Sequence, residues 1–167
     1  MKRYFGYWAM IILLSVACQV TEPGPDEVVA SLGTIQATIG GSAVVFASKG
    51  GTDESTANGF TPSFGLLGIF RQVSAQDLRR IQVTITGIDL DGLTVPTTVA
   101  QNAQLRFFLG GSNQRYDASG PDLTLRIVSK QGDVLRGTFS GTLRSIQNPN
   151  EVLRVGNGSF NLALRRF

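Results

Sequence analysis

The chain has no histidine and only one cysteine, Cys18, among its 167 residues. Without histidine, neither a Ser-His-Asp nor a Cys-His catalytic arrangement can form, and most zinc sites are excluded too. A lone cysteine cannot form a disulfide within the chain, so apolar burial alone must stabilise the fold. These two shortages remove the commonest hydrolase and metal-site chemistries.

Charge of one sign is not concentrated anywhere along the sequence. Lys and Arg total 15 against 12 Asp and Glu, and Lys2 and Arg3 account for two of the 15, which leaves 13 against 12 beyond residue 17. A nucleic-acid interface needs a concentrated basic stripe. We therefore expect no nucleic-acid partner.

The first 17 residues have the layout of a secretory signal peptide. Lys2 and Arg3 precede an apolar segment, residues 8–14 (WAMIILL), and the small residues of Ser15-Val16-Ala17 follow. The whole apolar stretch, residues 4–17, is shorter than the roughly 17–25 residues that span a bilayer as a helix. We expect residues 1–17 to be cleaved.

Cys18 stands at the first position after this cleavage site, which resembles the lipobox of bacterial lipoproteins. The resemblance implies that the thiol is acylated and carries palmitate. Ser15 stands where the usual lipobox has leucine, so cleavage by the ordinary signal peptidase is the alternative. Gln19 is not the aspartate that resembles an inner-membrane retention signal. We expect an outer-membrane anchor, on the periplasmic or the cell-surface side.

Residues 18–31 are expected to form a tether, because their Pro, Gly and acidic residues cannot bury apolar area. Residues 32–167 are expected to form a single domain, which is large enough for a core of its own.

Apolar and polar residues alternate with period two from about residue 33 onward, and no segment carries a sustained helical stripe. The clearest run is residues 81–85 (IQVTI). Turn-forming segments such as Gly40-Gly41, Asp91-Gly92 and Asn148-Pro149-Asn150 separate the runs. About eight short strands with such breaks predict an all-β domain, either an antiparallel β-sandwich or a partly open barrel.

Two strands near the C-terminus carry phenylalanines on their apolar faces. Phe139 shares a face with Leu135 and Leu143, and Phe160 shares one with Leu162, so both phenylalanines are predicted to lie in the core. Gly156-Asn157-Gly158 is either a bulge within the last strand or a separate tight turn.

Two stretches resemble segments of small Bacteroidota-type lipoproteins of unknown function. Residues 35–46 (IQATIGGSAVVF) resemble their opening hairpin. Residues 132–143 (GDVLRGTFSGTL) and 152–160 (VLRVGNGSF) resemble their closing hairpin. The resemblance implies an anchored all-β domain, and it brings no catalytic residues because the family has none assigned.

Five arginines alternate with the apolar residues of the last strands and are candidates for surface binding of a phosphorylated lipid or an acidic glycan: Arg126, Arg136, Arg144, Arg154 and Arg165. The alternative is that they form only the solvated face of a half-buried sheet. Loops 49–63 and 110–121 are further candidates for contact with a partner.

Carboxylates offer the remaining route to catalysis, since glycoside hydrolysis needs two acids beside the bond. The candidates are Glu54, Asp89, Asp91 and Glu151, all beside predicted turns, where exposed acids are ordinary. Lys49, Lys130 and Tyr116 are also placed in or beside turns, so their pKa values are expected to be ordinary. Asp89-Leu90-Asp91-Gly92 lacks the third ligand and the distal Glu of a calcium loop, and we expect a plain turn.

The sequence therefore predicts a monomeric, lipid-anchored accessory or binding lipoprotein of the cell envelope, without catalysis, cofactor or metal, and with an unknown protein or glycan partner. The alternatives are a carboxylate-dependent hydrolase and a carbohydrate-binding module. The single Trp, at position 8, leaves with the signal peptide, and Tyr116 is the one Tyr beyond it. This shortage argues against a module that stacks sugars on Trp and Tyr.

Overall fold

The computed structural model describes residues 30–47, 58–99, 101–110 and 114–167, and 60% of these residues lie in strands. Cys18, the signal peptide and most of the tether lie outside the described residues. The described residues contain no α-helix, which confirms the all-β prediction. The strands are β1 (Thr34–Ile39), β2 (Ser42–Phe46), β3 (Gly59–Thr61), β4 (Leu66–Gln72), β5 (Arg80–Ile85), β6 (Thr97–Thr98), β7 (Ala103–Phe108), β8 (Arg115–Ser119), β9 (Leu123–Gln131), β10 (Val134–Ser145), β11 (Val152–Ala163) and β12 (Arg165–Arg166).

The strands join in one curled, mixed sheet that forms a half-barrel. Its order is β12-β3-β4-β5-β7-β8-β10-β11-β1-β2, while β9 pairs with β10 and β6 pairs with β9. All pairs are antiparallel except β12 with β3. An antiparallel sandwich of eight strands is therefore not confirmed, because twelve strands share one sheet and one pair is parallel.

The C-terminal strand, β12, connects two parts of the sheet that are distant in the strand order. Only Leu164 separates β11 from β12, yet β11 pairs with β10 and β1 whereas β12 pairs with β3. The backbone N–H of Arg165 donates to the carbonyl of Asn58 at 3.0 Å, and that of Phe167 donates to the carbonyl of Phe60 at 3.0 Å. These contacts cover the β3 edge, which would otherwise present unpaired backbone groups.

The core lies on the inner face of the curled sheet, as the alternation predicts. Ile81, Val83 and Ile85 of β5 are buried, and they lie opposite the buried residues Phe107, Leu105 and Ala103 of β7. Side chains of a strand alternate between its two faces, so Gln82 and Thr84 point outward. Strand β5 therefore contributes one row to the core and one row to the outer surface. In β4 and β11, by contrast, consecutive residues are buried at 69–72 and 158–162.

Residues 156–158 form a bulge within β11 and not a separate tight turn. Strand β11 is continuous from Val152 to Ala163, and its pairing with β10 shifts by one residue between the pairs Phe139–Gly158 and Gly141–Val155. Asn157 has a φ of 49°, a left-handed conformation that asparagine tolerates better than most residues.

Two loop segments, at residues 74–77 and 89–92, are held by side-chain hydrogen bonds. The Ser74 hydroxyl accepts the backbone N–H of Asp77 at 2.9 Å, and no helix follows it in the described segment. The Asp89 carboxylate accepts the N–H groups of Asp91 and Gly92, both at 3.1 Å. These carboxylate contacts are those of a turn, as expected for this segment.

The described fold begins at Ala30, which lies within the range that the sequence assigns to the tether. Ala30 is buried, and its carbonyl accepts a hydrogen bond from the Asn161 side chain at 3.1 Å. Nearby, the buried Arg71 donates to the carbonyl of Gly33 at 2.8 Å and to the Asn58 side chain at 2.9 Å. Arg71 therefore ties the start of the fold to the segment before β3.

Candidate functional site

The five arginines predicted as surface-binding residues are all exposed on the outer side of the sheet. Arg126 of β9 lies opposite Thr138 of β10, and Arg154 of β11 lies opposite Thr142 of β10. Arg136 and Arg144 stand on the same face of β10, on either side of these two threonines. Four of the five arginines thus surround the outer row of β10.

Arg165 is more distant, because Ala163 lies opposite Val134 at the start of β10 and Arg165 falls beyond it on β12. Arg144 is within ion-pair distance of Asp122, at 3.4 Å. Among the described residues, no carboxylate lies within 4 Å of the guanidinium of Arg126, Arg136, Arg154 or Arg165.

Three further arginines, which sequence reasoning did not select, extend this basic surface across the sheet. Arg80 of β5, Arg106 of β7 and Arg115 of β8 are half-buried on the outer face. The eight residues Arg80, Arg106, Arg115, Arg126, Arg136, Arg144, Arg154 and Arg165 are called the outer arginine face below. A signal in the sequence could have identified them, because each adjoins a residue of the core. Arg80 precedes Ile81, Arg106 follows Leu105, and Arg115 precedes Tyr116.

Few acids face these arginines. Asp117 of β8 lies among them, and Asp122 lies in the 3-10 turn Gly120–Asp122, directly before β9. The other described acids lie in turns or loops: Asp77, Asp89, Asp91, Asp133 and Glu151. Asp77 is paired with Arg79 at 2.5 Å. Although the net charge of the chain is small, its positive and negative side chains are therefore separated. The arginines lie on the outer face of the sheet, and most of the described acids lie in turns and loops.

Two of the described acids, Asp91 and Asp133, lie together at the end of the sheet where β10 begins. Arg166 donates two hydrogen bonds to Asp91, at 2.8 and 2.7 Å, and one to Asp133 at 3.0 Å, while Lys130 lies 3.8 Å from Asp91. The hydrogen bonds from Arg166 hold the pKa of Asp91 below its ordinary value. A general acid for glycoside hydrolysis needs the opposite shift.

Glu151 lies at the other end of β10, and it contacts Tyr116. The Tyr116 hydroxyl donates to a carboxylate oxygen of Glu151, and Gln114 donates to the Tyr116 hydroxyl at 2.8 Å. Burial, followed by the Glu151 contact, raises the pKa of Tyr116 to about 12. The prediction of an ordinary, solvated tyrosine beside a turn is wrong, because Tyr116 lies within β8 and is 1% exposed.

Two of the candidate acids, Asp91 and Glu151, lie at opposite ends of β10. Asp91 shares Arg166 with Asp133, one residue before β10, whereas the backbone of Glu151 pairs with Ser145 at the end of β10. A strand of 12 residues separates these two places by roughly 35 Å. Glycosidases need their two carboxylates within about 5–10 Å of each other. Glu54 lies outside the described residues.

Within the described part of the chain, no group of three or more Cys, Asp or Glu residues is arranged to hold a metal ion. The same part of the chain contains no helix that is long and apolar enough to cross a membrane. Lys49, most of loop 49–63 and residues 111–113 of loop 110–121 are not described.

Comparison of the chain with protein-family models, with curated proteins and with solved structures found no significant match.

Proposed function

We propose that this chain is a lipid-anchored, non-catalytic binding protein of the outer membrane, and that its outer arginine face binds an acidic glycan of the cell envelope. The observation that carries the proposal is the concentration of eight arginines on one face of the sheet, with Asp117 and Asp122 as the acids beside them. The anchor rests on the sequence, namely the signal-peptide layout and a sole cysteine at the acylation position.

The spacing of the arginines supports a polymeric ligand. Arg136 and Arg144 are eight residues apart on β10, which corresponds to roughly 27 Å along a strand. Arg126 and Arg154 flank this row on the two neighbouring strands. A polyanion with repeated charges can contact several such guanidiniums at once, which strengthens binding. The summed positive potential of the arginines also attracts such a ligand from a distance.

Guanidinium groups also suit the proposed ligand chemistry. Arginine stays charged at every physiological pH and pairs with carboxylate or phosphate through a planar fork of N–H donors. A sugar platform built on aromatic stacking is not supported, because Tyr116 is buried in the core. The outer arginine face would therefore bind carbohydrate through charge and not through aromatic stacking.

The anchor is tested by labelling cells with a palmitate analogue and partitioning the extracts into detergent. We expect the wild-type chain to be labelled and to enter the detergent phase, and Cys18→Ser to remain unlabelled and aqueous. Equal partitioning of the two proteins would contradict the anchor and favour cleavage by the ordinary signal peptidase.

The binding role is tested by retention on heparin, used as a probe polyanion. The protein is the chain from residue 18 onward with Cys18→Ser. We expect R136Q/R154Q to elute at clearly lower salt than this parent, because both arginines lack a described carboxylate partner. The control R79Q/R166Q removes the same charge from arginines that are paired with acids. Equal loss of retention in both variants would mean that net charge, and not the outer arginine face, governs binding.

A further inference from the structure

The part of the outer arginine face on β5, β7 and β8 has an organisation of its own. In one row across the sheet, Arg80 lies opposite Phe108 and Phe108 lies opposite Arg115. In the next row, Arg106 lies opposite Asp117, and Asp117 lies opposite Arg144. Arg115, on the same strand as Asp117, is 2.9 Å from its carboxylate, so Asp117 has arginines on three sides. Arg80, Arg106, Arg115 and Asp117 are called the Asp117 cluster.

The arginines of the Asp117 cluster have donors that the described protein atoms do not use. The Nε atoms of Arg80, Arg106 and Arg115 are buried and have no hydrogen-bond partner among the described residues. The Arg115 Nε forms an ion pair with Asp117 Oδ1 at 2.9 Å, and the Arg106 Nε is 3.9 Å from Asp117 Oδ2. Neither contact is aligned as a hydrogen bond, and Asp117 Oδ1 is itself buried without a hydrogen-bond partner among the described residues. Unpaired buried donors are rare in folded proteins and call for an acceptor.

The side chains of the Asp117 cluster are also held in place. The guanidinium carbon of Arg80 lies over the Phe108 ring, 4.8 Å from its centre. The side chains of Arg106 and Arg115 are 33% and 34% exposed, and that of Asp117 is 23% exposed. Charges that are partly desolvated and already gathered lose less freedom when a ligand arrives.

The charge of this region matches a doubly charged anion. Among the described residues, the acids beside Arg80, Arg106, Arg115 and Arg144 are Asp117 and Asp122, the partner of Arg144, so four positive charges face two negative ones. A phosphate monoester carries a charge of about −1.5 to −2 at neutral pH and three acceptor oxygens. A carboxylate offers one charge and two oxygens, so it neutralises only half of the excess.

We propose that the Asp117 cluster is a binding site for a phosphate monoester. This inference rests on the proposed role of the outer arginine face in binding anions, and it narrows that role to one ligand class at one place. Asp117 gathers the guanidiniums in the absence of ligand and opposes the incoming anion. Removing its charge should therefore strengthen phosphate binding.

The test is an NMR titration of the Cys18→Ser chain from residue 18 onward, with inorganic phosphate and with a soluble sugar phosphate. We expect amide shifts concentrated on β5, β7 and β8. R106Q and R115Q should each weaken binding by about tenfold or more, because a charge-assisted contact is lost. R106K should be intermediate, since it keeps the charge and loses the planar fork. D117N should bind several-fold more tightly, and the charge-matched control R79Q should stay within about twofold.

A second titration distinguishes the source of the phosphate, using vesicles that contain phosphatidate, a monoester, or phosphatidylglycerol, a diester, at equal surface charge. If binding of the sugar phosphate or of phosphatidate depends on Arg106 and Arg115, the site is supported. The ligand that shows this dependence identifies the source of the phosphate, a sugar or a lipid headgroup. The proposed phosphate-monoester site is overturned if the chain binds both lipids equally and if no titration depends on Arg106 and Arg115.

The two proposals fail in different ways. If phosphate binding is weakened by R136Q/R154Q as much as by R106Q/R115Q, the inference is overturned while the binding role of the outer arginine face stands. If heparin retention is insensitive to R136Q/R154Q and phosphate does not bind, both proposals are overturned.

Discussion

At the scale of single residues, Tyr116 shows how a polar group is accommodated at the boundary of the core. Its ring is buried within β8, while its hydroxyl reaches Glu151 and Gln114. Burial disfavours the phenolate, and the neighbouring carboxylate disfavours it further. The hydrogen bond from a neutral tyrosine to Glu151 therefore links β8 to the turn before β11.

We predict that Tyr116 lowers the stability of the fold at alkaline pH. Its pKa is raised from 10.0 to about 12, so the fold favours the protonated phenol. That contribution is complete below pH 10 and is lost as the pH rises from about 10 to about 12. Tyr116 is the one tyrosine beyond the signal peptide, so phenolate absorbance of the chain from residue 18 onward reports it alone.

We expect a titration midpoint near 12, and we expect Tyr116→Phe to remove the corresponding fall in the free energy of unfolding. Glu151→Gln should lower the midpoint while leaving it above 10, because burial is the larger cause of the shift. A midpoint at the ordinary tyrosine value in the wild-type chain would mean that the hydroxyl is solvated.

At the scale of elements, the β10–β11 pair is built around two glycine–phenylalanine contacts. Gly137 lies opposite Phe160, and Phe139 lies opposite Gly158. A Cβ on Gly137 would lie 2.3 Å from the Phe160 ring, and a Cβ on Gly158 would lie 2.5 Å from the Phe139 ring. Each ring thus occupies the space above the facing glycine, which gives a physical reason for the Gly-Thr-Phe-Ser and Asn-Gly-Ser-Phe segments.

We predict that Gly158→Ala destabilises the domain by about 1–3 kcal/mol, because the added methyl overpacks this contact. The Cβ would also meet the Phe139 carbonyl at 2.4 Å, and backbone cannot move aside cheaply. Gly156→Ala, two residues away in the same bulge, is the matched control because nothing lies within 4 Å of its Cβ. Denaturant unfolding of both variants gives the comparison, and equal losses would show that the contact is not tight.

Phe139 and Phe160 are confirmed as core residues, at 3% and 1% exposure. Strands with several alternating residues, such as β5 and β7, were predictable in the same way. The two-residue strands β6 and β12 were not, since so short a segment carries no period. The strand order was also beyond reach, because the β12–β3 contact joins residues more than 100 positions apart.

The candidate site was predictable only in part, for a related reason. Arg126, Arg136, Arg144 and Arg154 follow from alternation along three consecutive strands, because neighbours in sequence are here neighbours in the sheet. The Asp117 cluster depends on the register between β5, β7 and β8, and the third arginine beside Asp117, Arg144, comes from β10. No single strand reveals that three arginines surround one aspartate.

At the scale of the whole molecule, the sheet separates charge. Arginines cover its outer face, while acids lie mostly in the turns and loops, where Arg166 binds Asp91 and Asp133 and where Arg79 binds Asp77. A protein with a net charge near zero can still present a strong local potential when its charges are arranged in this way. We therefore propose that the outer arginine face is the binding surface.

The most direct test of that claim is footprinting of arginine side chains with a dicarbonyl reagent, read by mass spectrometry with and without heparin. We predict that Arg126, Arg136 and Arg154 become protected when heparin is bound. Arg79 and Arg166 should react equally in both samples, and a neutral dextran should protect none of the five. Protection confined to Arg79 and Arg166, or the same protection at all five arginines, would contradict the assignment of the outer arginine face as the binding surface.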